Sequence, residues 1–162
     1  MNEDSMEKEV RRGVRFNKIA LAVLALLAVI GVWAVLSWFS RPLDDSITPD
    51  GLAEHLTDGA LGKTGGVYYV LDSGSGLVDA LNLRDWTITK EEAEGEPLVV
   101  FRLWEDCELA LYEDGLAYAW NGYAPSDTTG AVWYTIPEDT ARTVASLLKT
   151  DGQIETSPGV RF

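Results

Sequence analysis

The chain has 162 residues, 46% of them hydrophobic, and carries 26 acidic against 13 basic side chains, a formal net charge of −13. That length allows one ordinary domain and a short appendage, and a single cysteine, Cys107, excludes a disulfide framework within the chain. So large a negative excess argues against nucleic acid and against anionic head groups as partners.

Residues 1–18 are polar, with five basic and four acidic side chains, and are too short to hold a folded domain. Ile19 to Phe39 follows without a charge, and only Gly31 and Ser37 fall outside the apolar and aromatic set. At ~1.5 Å per residue, a helix of this length reaches about 30 Å, the thickness of a bilayer's hydrocarbon core. The spacing predicts a transmembrane helix over 19–39, with the lipid bilayer as its partner. A cleaved signal peptide fits less well, because its apolar run is shorter and ends in small residues, whereas this one ends in Trp38 and Phe39. Lys8, Arg11, Arg12, Arg15 and Lys18 flank the N-terminal end, and only Arg41 lies close to the other. The positive-inside rule then puts the N-terminus in the cytoplasm and the remaining chain outside the plasma membrane.

Residues 40–47 read as a juxtamembrane linker, and 48–152 as the extracytoplasmic domain. Thr48 is a good helix N-cap, Pro49 suits the first helical position, and Leu52, Ala53 and Leu56 give an apolar face that Gly59 ends. His55 is the only histidine, so no metal site is expected around it. Gly62-Lys63-Thr64 is not a phosphate loop: Thr57 stands where the first glycine belongs, and the flanking elements come in the wrong order. Val67 to Leu71 reads as the first strand, Leu77 to Asn82 as a helical turn, and Trp86 to Ile88 as a weak strand. Glu91, Glu92, Glu94 and Glu96 fill a solvated loop that keeps a sheet edge from pairing.

The clearest pattern comes next. Leu98–Trp104, Glu108–Tyr112, Leu116–Trp120 and Ala131–Ile136 are strands with short turns, and Gly115 is placed for a left-handed residue. Leu116, Tyr118 and Trp120 share one strand face and Ala117 and Ala119 the other, where small side chains leave room for a helix. Pro137 opens the last helix, whose apolar stripe is Val144, Leu147 and Leu148. Residues 153–162 have no pattern and read as a flexible tail.

Taken together, the fold class is α+β: one N-terminal transmembrane helix, then a small antiparallel β-meander domain with helices packed on one face. A small β-barrel capped by the C-terminal helix is the runner-up. The lone histidine and lone cysteine fall on different elements and give no nucleophile–base pair, so no catalytic residue, cofactor or metal is expected. The function expected is a non-enzymatic binding or protein-interaction module at the cell envelope, with another envelope or membrane protein as its partner. Trp86, Trp104, Trp120, Trp133 and Tyr123 are the candidate interaction residues, since aromatics are favoured at interfaces. The alternative is a carboxylate-dependent envelope hydrolase, for which Glu105, Asp106 and Glu108 with Asn121 form the best local cluster.

Overall fold

A computed structural model describes residues 23–33, 41–104 and 106–156. The chain divides into two units, with the boundary between Arg41 and Pro42. In the first, residues 23–33 form helix α1, and all of them are exposed. The remainder of the expected span Ile19–Phe39 lies outside the described residues. Among those described, no helix is long and apolar enough to cross a membrane.

The second unit is α+β, built on a large antiparallel sheet. Its helices are α2 (Pro49–Thr57), α3 (Leu77–Leu81) and α4 (Thr140–Asp151). Its strands are β1 (Gly59–Thr64), β2 (Val67–Asp72), β3 (Thr87–Thr89) and β4 (Val99–Trp104), then β5 (Cys107–Leu111), β6 (Leu116–Asn121), β7 (Ala131–Thr135) and β8 (Gln153–Ile154). The spatial order is β3-β7-β6-β5-β4-β1-β2-β8, and each strand pairs antiparallel with its neighbours. The edges β3 and β8 do not meet, so the sheet is open and the barrel does not form. Both edges are short, which leaves few backbone groups free to template another chain.

Local chemistry explains the elements. Thr48 caps α2, its side chain accepting from the Gly51 N–H at 3.2 Å, with Pro49 in the first turn. Gly115 takes φ +78° between β5 and β6, a left-handed position that costs glycine nothing. α4 begins at Thr140, later than Pro137 implied, because a turn closed by Thr140 N–H to Pro137 O at 2.9 Å comes first.

Two cross-strand rows floor the core. Gly62, Phe101, Leu109, Ala119 and Val132 stand side by side from β1 to β7. Val99, Leu111, Ala117 and Tyr134 make the second row. Leu52 and Leu56 of α2, Leu77 and Leu81 of α3, and Val144 and Leu148 of α4 close over them in one cluster. Ala117 and Ala119 are fully buried, as a strand face making room for a bulky neighbour requires. Gly62 shows how near α4 comes: a β-carbon there would lie 2.8 Å from Leu148 Cδ2 and 2.8 Å from Phe101 Cε1.

Three expectations are corrected. The segment 59–64 is a strand; its two glycines hid the pattern, and one of them is there to let α4 approach. Residues 42–47 are part of the fold and do not form a linker: Thr129 N–H donates to Pro42 O at 2.8 Å, Asp44 N–H donates to Thr129 O at 3.0 Å, and Ile47 is fully buried. Nor is the start of the C-terminal tail loose, since Gln153 and Ile154 pair with Val70 and Tyr69, and Glu155 N–H donates to Tyr68 O at 2.9 Å. Residues 157–162 lie outside the described residues.

Burial also sets a pH response. It pushes the Cys107 thiol up to about 12 from an ordinary 9.0, and the Tyr134 phenol up to about 12 from an ordinary 10.0. Both folded values lie above the unfolded ones, so the unfolded chain gives up its protons first. The stability from these neutral groups is complete below pH 9 and drains away as the pH climbs towards 12. Urea midpoints should therefore fall between about pH 7.5 and about pH 10.5, and Cys107→Ala should shrink that fall. An unchanged fall in the variant would show that Cys107 ionises alike in both states.

Candidate functional site

The helices cover one side of the sheet. On the other side the register builds two rows. Val100, Ala110, Tyr118 and Trp133 form one, and Arg102, Glu108, Trp120 and Ala131 the next. Tyr112, one step past β5, continues the alternation of Glu108 and Ala110 and falls on the same face. Its ring lies 5.4 Å from that of Trp133, and Tyr118 lies 4.9 Å from Trp133 on the other side, both tilted. Tilted pairs at this distance suit the ring quadrupoles. Ala110 is buried on this face without joining the core cluster.

At one end the band runs into a cleft of about 870 Å³. Pro97, Leu98, Val100 and Tyr112 supply its apolar lining. Glu94 and Glu96 come from the β3–β4 loop, and Glu113 and Asp114 from the β5–β6 turn. Lys63 is the one basic residue of the lining, and its Nζ is 5.4 Å from the centre of the Tyr68 ring. Asp114 of the cleft, with Glu108 and Glu92 outside it, acts on the aromatic band. Tyr112 has its phenol raised by burial first and then by the charges of Glu108 and Asp114. Tyr118 is raised by burial, then by Glu108 and Glu92.

Of the five aromatics singled out in the sequence, Trp120 and Trp133 belong to this face. Trp120 is 38% exposed, and Trp133 is half-buried between the two tyrosines. Tyr123 is 61% exposed in the loop after β6, with its N–H donating to Asn121 Oδ1 at 2.9 Å. Trp104 is half-buried against the His55 ring at 4.3 Å. Trp86 is a core residue: it is 6% exposed, its Nε1–H donates to Leu81 O at 2.8 Å, and it packs on Tyr134. Strand alternation alone would have added Tyr112 and Tyr118 to the set.

The carboxylate cluster at the far end of the meander does not assemble. Glu105 lies outside the described residues. Cys107 is paired with Asn121 and Glu108 with Trp120, so Glu108 and Asn121 point to opposite sides of the sheet. Asp106 and Glu108 are both exposed. Asn121 works in the fold: its Nδ2 donates to Asp44 Oδ1 at 3.1 Å and to Ser46 Oγ at 3.0 Å. Ser46 also donates to Asp44, and that bond is the main reason the Asp44 carboxyl sits below its usual range. Among the described residues, no group of three or more His, Cys, Asp or Glu side chains is arranged to hold a metal ion. Scans against protein-family models, curated proteins and solved structures return no match for this chain.

Proposed function

We propose that this is a single-pass membrane-anchored protein with a cytoplasmic N-terminus. Its acidic domain is a non-enzymatic binding module outside the plasma membrane, engaging another envelope or membrane protein. The observation that supports the binding role is the helix-free sheet face, where Tyr112, Tyr118, Trp120 and Trp133 stand on adjoining strands. Rigid aromatic rings bury much area at little entropic cost, which is why they recur where proteins meet. The anchor rests on the composition of Ile19–Phe39 and on the basic residues before it.

Orientation is tested in intact cells with a membrane-impermeant thiol label. Ser126→Cys should be labelled and Ser5→Cys should not. Native Cys107 adds little background, being 2% exposed and almost wholly protonated. The reverse pattern would overturn the orientation. The binding role is tested by placing a photo-crosslinking phenylalanine analogue at position 120 or at the remote position 142. A recurrent adduct is expected from 120 alone; equal adducts from both, or none, would count against the open face.

A further inference from the structure

We infer that the acid-lined cleft at the end of the aromatic band receives an extended, Lys- or Arg-bearing segment of the protein partner. This rests on the binding role proposed above and names the chemistry of the occupant. Leu98, Val100 and Tyr112 in the lining offer apolar surface that suits the methylene stem of a long basic side chain. The lining carries Glu94 and Glu96 from one loop and Glu113 and Asp114 from another, against a single lysine. A cation lying among them meets carboxylates from two separate loops, the arrangement that favours guanidinium or ammonium groups. An anionic or purely apolar segment would leave four carboxylates desolvated without partners, a heavy penalty. The cleft also borders the sheet at Val100 of β4 and at Tyr112 directly after β5, and a chain in extended conformation puts every second side chain on one side. A basic segment with alternating apolar residues thus matches both the cleft and the adjoining band.

The test uses the full chain in nanodiscs of neutral phosphatidylcholine, with a fluorescein-labelled, end-blocked peptide of alternating lysine and valine. Anisotropy is followed at about 0.15 M salt, where unspecific attraction is screened beyond about 8 Å. Glu113→Gln with Asp114→Asn should weaken binding about tenfold or more, since it takes charge-assisted contacts from one loop. Glu54→Gln with Asp58→Asn removes the same charge from exposed positions around α2 and should change affinity less than about twofold. Equal losses from the two pairs, or no binding at all, would overturn the inference. So would spermine competing as strongly as the peptide, or self-association of the chain abolished by the same pair, because each names a different occupant. If the peptide fails while the adduct from position 120 persists, the binding role stands and only the basic occupant falls.

Discussion

Leu148→Asp should leave the domain without a cooperative unfolding transition at 25 °C. Leu148 is fully buried on α4, and its two methyl groups lie over Gly62 of β1. Truncation to alanine removes that contact and opens a cavity, at a cost of ~2–5 kcal/mol. Aspartate adds an unpaired charge in an apolar layer, and the sum reaches the whole stability of an ordinary domain, about 5–15 kcal/mol. Arg142, on the solvent side of α4, has a 63% exposed side chain 4.0 Å from the carboxylate of Asp139. Such surface pairs contribute little, so Arg142→Ala should stay within about 0.5 kcal/mol of the parent. Urea unfolding followed by tryptophan fluorescence measures all three. If Leu148→Asp melted like the parent, the apolar stripe of α4 would be free for a partner and would not hold up the sheet.

Tyr134→Ala should cost about 3–5 kcal/mol or more, as large aromatic truncations in a core do. Tyr134 is 1% exposed, packs its ring 5.4 Å from that of Trp86, and donates its hydroxyl to Ile47 O at 2.8 Å. It therefore joins β7 both to the segment before α2 and to the turn after α3. Tyr134→Phe keeps the ring and orphans only the buried Ile47 carbonyl, for which about 1–3 kcal/mol is expected. The two variants separate packing from hydrogen bonding. A phenylalanine variant as damaged as the alanine one would mean that the hydroxyl, not the ring, carries the contribution.

Much of the sheet was legible because its central strands alternate cleanly. Ala117 and Ala119 against Tyr118 and Trp120 told the buried side of β6 from the open one, and the register bears this out. Capping chemistry at Thr48 and Pro49 placed α2 within a residue. β1 and β8 were not legible, for different reasons. In β1 the small residue is demanded by the helix above it, a tertiary constraint that reads locally as a loop. β8 has two residues, too few for a period, and gains its order from Val70 and Tyr69. The aromatic face was half legible. Composition flagged the tryptophans, but which of them share a face depends on partners distant in the chain. Trp86 turns inward because Tyr134 and the Leu81 carbonyl receive it, and Tyr112 counts because Trp133 stands beside it. Acidic residues from two separate loops meet at one cleft only because β4 and β5 bring those loops to the same end.

The segment from Pro42 to Ile47 has a mechanical consequence. A pull on the chain at residue 41 enters the domain through the Pro42–Thr129 and Asp44–Thr129 hydrogen bonds, then through the Asn121 side chain. Load is thus delivered to the end of β6 and the loop after it before it reaches α2. These few contacts stand in series ahead of the paired strands β4 to β7. They would give way first, drawing Ile47 from beneath Tyr134 while β4 to β7 stayed paired. This segment is therefore the first part of the domain to take up such a load, and the sheet takes it up only afterwards.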